Sequence, residues 1–210
     1  MKFTSFISNL IQEIVYICYD ENTKDAVVID PGGNGKKIIK VLEEKELNLK
    51  AVLLTHAHFD HIGALPELMG KYDVKLASHK DEIPIISNSK MNFSRDYVKK
   101  PIEIIPDILF DEDKVYSFGS IDFFVYHTPG HTPGSCCYYD EKEKILFSGD
   151  TLFREEIGRC DLYLGDEDKI IKSIQEILFS LDDDVKVYPG HDMPTTIGHE
   201  KKYNPYAKIL

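Results

Sequence analysis

Short apolar runs alternate with polar segments along the first third of the chain. Two β-rich runs, residues 13–19 and 26–30, flank a polar turn and predict a hairpin. Residues 36–47 carry apolar side chains at helical spacing, and the apolar run Ala51–Leu54 predicts a short buried strand. A further helix is expected to start at Ile62, so the order after the hairpin's first strand is strand, helix, strand, helix.

The middle of the chain has a weaker pattern. Residues 74–78 predict a strand, and residues 80–87 predict a short helix with Pro84 near its first turn. Between residues 88 and 110 the periodicity is lost, which predicts a long loop with some helix. Long irregular connections are often functional, so this segment either covers an active site or is a mobile surface insertion.

The second half is richer in strands. Its pattern predicts strands at residues 114–118, 121–127, 135–139 and 144–148. A clear helix at residues 168–181 and a final strand at residues 185–188 follow.

Length and charge narrow the class of protein. A chain of 210 residues fits one domain covering residues 1–210. Its formal net charge is −11, and its lysines and arginines are scattered rather than gathered in a stripe. A nucleic-acid partner is therefore not expected.

Cysteine usage and the amino terminus indicate a reducing compartment. The four cysteines form no CxxC pair, so reduced thiols are expected. Residues 1–13 are interrupted by polar side chains and lack the small-residue cleavage site of a signal peptide. No apolar run approaches the roughly 18 residues of a membrane span, so we expect a cytoplasmic protein without a membrane partner.

The segment His56-Ala57-His58-Phe59-Asp60-His61 places four metal-binding side chains in six residues. His56 and His58 point the same way if the segment is extended, whereas Asp60 and His61 fall where a helix starts. One loop can therefore offer two groups of ligands to two adjacent ions. A histidine-rich surface loop is the alternative.

Three later residues extend this ligand set. His131 lies in a turn, residues 128–135, that contains two prolines and two glycines. Asp150 follows a predicted strand and Gly149, which permits close approach of the backbone. His191 follows the last predicted strand.

Imidazole and carboxylate ligands suit borderline divalent metals. We assign His56, His58 and His131 to one ion and Asp60, His61 and His191 to a second. Asp150 would contact both ions, and Asp60 and Asp150 are the candidate catalytic carboxylates. Two zinc ions are favoured, with iron or manganese as alternatives.

This pattern, together with Asp30 at a strand end, resembles the metallo-β-lactamase superfamily over nearly the whole chain. The resemblance implies an α/β fold, a four-layer αββα sandwich of two mixed β-sheets flanked by helices. It also implies a two-metal site at one edge, between the sheets.

Three segments resemble the glyoxalase II (hydroxyacylglutathione hydrolase) branch: residues 149–153, 158–162 and 189–200. The likeness is to its short members, which lack the further helical region that helps full-length enzymes to hold glutathione. Asp192-Met193 also stand where those enzymes usually carry an aromatic glutathione contact. The resemblance implies hydrolysis of a small-molecule thioester, such as S-lactoylglutathione or a related small-thiol adduct, by metal-bound hydroxide.

Most of the other polar residues are expected to have structural roles. We expect structural or surface roles for the remaining histidines, His79, His127 and His199, rather than roles in orienting ligands. Asp30 is predicted to brace the ligand loop by hydrogen bonding. Arg159 would either anchor an acidic substrate or tie down its own loop. Cys160 is disfavoured as a nucleophile.

Several other functions stay open. A persulfide dioxygenase would hold a single iron through His56, His131 and Asp150. A β-lactamase would be expected to carry an export signal, and an RNA-processing nuclease would be expected to have a basic surface. The sequence indicates neither feature, so both functions rank lower. A non-catalytic metal-binding module ranks last. The oligomeric state is left open.

Overall fold

The computed structural model describes residues 1–111 and 113–208. Within these ranges the strands form two six-stranded sheets and one small hairpin. The first sheet contains, in spatial as well as chain order, β1 (Lys2–Ile7), β2 (Ile14–Tyr19), β3 (Asp25–Ile29), β4 (Asn48–Leu53), β5 (Lys75–His79) and β6 (Ile108–Phe110). Strands β1 to β3 are antiparallel and β3 to β6 are parallel, so the sheet is mixed.

The remaining strands come from the second half of the chain. They are β7 (Lys114–Phe118), β8 (Ile121–His127), β9 (Cys136–Asp140), β10 (Ile145–Gly149), β11 (Leu152–Phe153), β12 (Glu156–Ile157), β13 (Lys186–Pro189) and β14 (Thr195–Thr196). The second sheet has the order β14-β13-β10-β9-β8-β7, and only its β10/β13 pair is parallel among the described strands. Strands β11 and β12 pair with each other.

Short helices connect the strands and cover the sheets. They are α1 (Gly35–Glu44), α2 (Phe59–Ile62), α3 (Leu65–Lys71), α4 (Ile83–Ile86), α5 (Ser94–Tyr97), α6 (Glu167–Lys172) and α7 (Ile197–Tyr203). Within the described ranges, none is long and apolar enough to cross a membrane.

Alternation along the strands produces the layers. In β8, Phe123 and Val125 pack into the core between the two sheets, whereas Phe124 points to the outer face. Ile38 of α1 packs on the outer face of the first sheet, and Ile170 of α6 packs on that of the second. This is the expected αββα sandwich, and the fold prediction is confirmed.

Two predicted helices differ from the observed ones. Helix α2 begins at Phe59, three residues before the expected start, so Asp60 and His61 lie on the helix. The helix expected over residues 168–181 is present but is not a regular α-helix throughout: α6 continues as a π-helical turn, Ser173–Ile177, and then a 3₁₀ turn. Ser173 Oγ donates a hydrogen bond to the Pro129 carbonyl (2.8 Å), which fixes the π turn beside the loop that carries His131.

Several elements were absent from the sequence expectations, among them the two-residue strands β11, β12 and β14. Strand β1 is an edge strand with an uneven burial pattern, and β6 is only three residues long. Helix α7 follows a Thr196 cap, whose hydroxyl accepts from the His199 amide (3.2 Å). Each is too short or too weakly patterned for periodicity to reveal.

Candidate metal centre and active site

The histidine-rich segment begins directly beyond β4. The chain stays extended as far as His58, whose backbone angles are φ −68° and ψ 154°, and then turns into α2. This change from extended chain to helix sends the first two histidines and the Asp60–His61 pair to different positions. All four side chains are buried or nearly so.

The other candidate ligands lie beyond the ends of second-sheet strands. His131 follows β8, Asp150 follows β10 and His191 follows β13. Gly149 precedes Asp150 with φ +50°, and a Cβ there would overlap the Thr55 side chain. Glycine is therefore required for Asp150 to reach the edge where the strands meet.

His56, His58 and His131 form the first group. His56 Nε2 lies 3.2 Å from His131 Nε2, and His58 Nδ1 lies 2.9 Å from the same atom. A ligand atom from each residue falls within 4.8 Å of the other two.

The hydrogen bonds around this group determine where its protons are. His131 Nδ1 donates to the Arg159 carbonyl (2.7 Å), which leaves Nε2 with a lone pair. Thr55 Oγ1 donates to Asp30 Oδ2 (2.6 Å) and so accepts from His56 Nδ1 (3.2 Å), which leaves His56 Nε2 with a lone pair. Two nitrogen lone pairs therefore face each other, an arrangement that a cation between them would relieve.

Asp60, His61 and His191 form the second group. His191 Nε2 lies 3.3 Å from Asp60 Oδ2. Asp150 lies between the groups, because its carboxylate is 3.4 Å from His61 Nε2, 3.7 Å from His131 Nε2 and 3.7 Å from His191 Nε2. The structure thus brings all seven predicted ligands together, and their division between two ions stays a prediction.

The electrostatics of the two groups differ. Burial lowers the pKa of His56 well below its usual value and that of His58 to about 3, so both imidazoles are neutral, the form that binds metal. Burial also lowers the pKa of His61, but Asp150, Asp30 and Asp60 more than offset this and raise it. Burial raises the pKa of Asp150, yet His61 and the other histidines hold it well below its usual range.

Unpartnered polar atoms show that the cluster fits a bound cation. Among the described residues, the buried side-chain atoms without a hydrogen-bond partner include His58 Nε2, His61 Nε2 and Asp150 Oδ1. A buried polar group without a partner costs about 1–3 kcal/mol. The clusters fit a dinuclear site of divalent metals, which would supply the missing partners; assignment of each ligand remains a prediction.

Two buried carboxylates support the ligand loops. Asp30 accepts from the Thr55 amide (2.8 Å) and lies 3.0 Å from His61 Nδ1, so it acts as the brace that the sequence suggested. Glu82 accepts from the Ala57 amide (2.8 Å), Thr132 Oγ1 (2.7 Å) and the Gly134 amide (3.0 Å). Glu82 was missed because a lone Glu in a polar turn carries no sequence signal.

A cavity of about 710 Å³ opens onto the candidate ligands. Phe93, from the long connection between β5 and β6, lines it, and Tyr97 stacks on the lining residue Phe59. The connection therefore covers part of the site. Arg159 also lines the cavity, but its guanidinium makes two hydrogen bonds to Asp161 (2.7 and 2.8 Å).

The remaining polar candidates have local roles. His79 and His127 stack with ring centroids 3.7 Å apart, and His199 pairs with Glu155 (2.8 Å). All four cysteines are free thiols. Burial raises the pKa of Cys160 to about 11, which makes it a poor nucleophile at neutral pH.

The fold and the site together define a metallo-hydrolase of the αββα class. The family model described as "Metallo-beta-lactamase superfamily" matches residues 11–191, and the chain belongs to this superfamily. Membership makes it a metal-dependent hydrolase.

Three relatives extend the comparison. "Hydroxyacylglutathione hydrolase GloC" of Haemophilus influenzae is 36% identical over 188 residues, covering 89% of each chain. The crystal structure of BLEG-1 B3 metallo-beta-lactamase has a TM-score of 0.91 and 38% identity, covering 99% of this chain and all of that one. The structure of TTHA1623 in a di-iron-bound form has a TM-score of 0.84 and 33% identity, covering 98% of this chain and all of that one.

Proposed function

We propose that this protein hydrolyses a small thioester, such as S-lactoylglutathione or a related small-thiol adduct, with two divalent metal ions. One observation carries the proposal: two adjacent groups of imidazoles and carboxylates, with Asp150 between them, open onto a substrate-sized cavity. The relative named as a hydroxyacylglutathione hydrolase supports the choice of substrate. Zinc is favoured, and the di-iron form of a similar structure makes iron a strong alternative.

The chain would supply most of the organisation. His56, His58 and His131 would hold one ion, Asp60, His61 and His191 the other, and Asp150 would bridge them. When bound, such ions lower the pKa of water towards neutrality and polarise a carbonyl group. The loops braced by Asp30 and Glu82 keep the ligands in place. The departing thiolate needs little acid assistance, because thiols have pKa values of about 8.5.

A thiol-release assay tests the proposal. Protein stripped of metal and reloaded with zinc, iron or manganese is expected to release thiol from S-lactoylglutathione or an N-acetylcysteamine thioester. His56→Ala and Asp150→Ala should lower the rate at least a hundredfold, whereas Cys160→Ser should leave it unchanged. Absence of thiol release from fully loaded protein would contradict the proposal. A single iron per chain with oxygen consumption on glutathione persulfide would instead indicate a dioxygenase.

β-Lactam hydrolysis is the second candidate, favoured by the similarity to a B3 metallo-beta-lactamase over nearly the whole of both chains. The same metal-activated water can attack a lactam carbonyl. Nitrocefin turnover by the loaded protein, compared with thioester turnover, separates the two. Lactam cleavage with a higher kcat/KM than any thioester would favour the second candidate.

A further inference from the structure

The surface around the cavity mouth carries exposed apolar side chains. Ile7, Ile11 and Met193 line the cavity and are 58%, 61% and 63% exposed. Tyr163, 40% exposed, stacks on the lining residue Phe93 with ring centroids 5.5 Å apart. Exposed apolar side chains gathered at one opening usually mark a binding surface.

The backbone at Ile11 strengthens this interpretation. Ile11 and Gln12, in the turn between β1 and β2, have φ values of 46° and 59°. A β-branched residue in this left-handed region is strained, and glycine would avoid the strain. An isoleucine here, with most of its surface exposed, gains little from folding. The exposed side chain is therefore available for contact with a molecule in the cavity.

Apart from the candidate metal centre, the cavity mouth offers an anion no free cationic side chain. Glu156 and Asp192 line the cavity beside the candidate metal ligands. Of the lysines and arginines in the described part of the chain, only Arg159 lines it, and this guanidinium is already paired with Asp161. An anionic peptide thiol would therefore find no free guanidinium or ammonium group in the lining.

We propose that the cavity takes a thioester with an apolar acyl group on a carrier without net negative charge. This inference rests on the proposed thioester hydrolysis and narrows its substrate class. Ile7, Ile11 and Met193 would contact the acyl chain or carrier, and Phe93 would close the opposite wall. Glutathione, which carries two carboxylates and one amine, would be a poor carrier.

A chain-length series tests the inference. N-acetylcysteamine thioesters with acetyl, butyryl and hexanoyl groups are supplied to metal-loaded protein, together with lactoyl thioesters of N-acetylcysteamine and of glutathione. From acetyl to hexanoyl, kcat/KM should rise at least tenfold, because each methylene transferred from water to an apolar surface adds a favourable increment. The lactoyl group should be hydrolysed faster from N-acetylcysteamine than from glutathione.

Matched variants identify the surface. The double variant Ile11→Ser/Met193→Ser should lower the hexanoyl-to-acetyl ratio of kcat/KM at least threefold. Both side chains are exposed, so the variant should still fold. Ile105→Ser is the control: this residue is 60% exposed and lies outside the cavity. A flat chain-length series, an effect of the control equal to that of the double variant, or faster hydrolysis of the glutathione thioester would overturn the inference.

A binding measurement separates this inference from the reaction itself. S-hexyl-N-acetylcysteamine and S-hexylglutathione are thioethers that cannot be hydrolysed, and calorimetry gives their affinities. The neutral thioether should bind at least tenfold more tightly. If it does so while no thioester is cleaved, the proposed function fails and the substrate preference stands. Tighter binding of S-hexylglutathione would overturn the preference even if thioesters are hydrolysed.

Discussion

Three imidazoles of the candidate metal centre, those of His56, His61 and His131, are each oriented by a hydrogen bond that Nδ1 makes. His61 Nδ1 lies 3.0 Å from Asp30, and His131 Nδ1 donates to the Arg159 carbonyl. These bonds fix the tautomers and turn the Nε2 atoms towards one another. The donors are therefore preorganised, at the cost of a polar cluster that is unsatisfied without a cation.

Asp30→Asn should weaken metal binding. An asparagine oxygen and amide cannot accept from Thr55 and His61 together as the carboxylate does, so His61 loses its fixed orientation. We expect metal affinity at the second group to fall about 10- to 100-fold in a competition with a chromogenic chelator. Asp140→Asn is the control, because this buried residue caps backbone amides of the β9–β10 turn. Equal affinities in the two variants would contradict the role of Asp30.

Glu82 should make stability depend on pH. Burial raises its pKa from 4.5 to about 8, although three hydrogen bonds oppose the shift. Because the folded state holds this proton more tightly than the unfolded state, its contribution is full below about pH 4.5 and is lost as pH rises towards 8, by at most about 1.4 kcal/mol per pH unit.

Glu82→Gln removes this titration. Urea unfolding at several pH values should therefore show the wild-type free energy of unfolding falling relative to the variant between about pH 5 and pH 8. The comparison uses metal-free protein, so that metal release does not contribute. Parallel pH profiles for the two proteins would show that Glu82 does not titrate in this range.

At the scale of elements, the site is made where strands end. Strands β4, β8, β10 and β13 each deliver a candidate ligand just beyond their last residue. The apolar patterns of these strands were predictable from the sequence because each has buried residues bounded by turn signals. The start of α2 was not, since His58, Phe59 and Asp60 have no strong helical periodicity, and the extended His58 backbone decides it.

Gly190 gives a test at this scale. A Cβ at this position would overlap Asp150 Oδ1 and lie 2.7 Å from His61 Cε1. Gly190→Ala should therefore displace both ligands and lower the metal content from two ions per chain to one or fewer. Elemental mass spectrometry measures this content. Gly70→Ala is the control, because a Cβ there meets no atom within 4 Å. This helical substitution should leave metal content unchanged and add up to about 1 kcal/mol of stability.

At the scale of the whole molecule, the two sheets bring distant parts of the chain to one edge. The Nε2 atoms of His56 and His131 lie 3.2 Å apart across the interface between the sheets. Residue types and their positions at strand ends predict which side chains gather at the site, and which of them share an ion stays a prediction. The αββα arrangement is implied by the family resemblance, because periodicity within single strands does not report how two sheets face each other. Contacts such as that of Glu82 with two ligand loops depend on that packing, so they could not be predicted.

Zinc titration of metal-free protein, followed by calorimetry, is the most direct test of the two-metal site. We predict about two zinc ions per chain for the wild type. His191→Ala should remove binding at the second group and leave about one, while Asp150→Ala should weaken both. A wild-type stoichiometry of one ion or none, or a stoichiometry that His191→Ala leaves at two, would contradict the account.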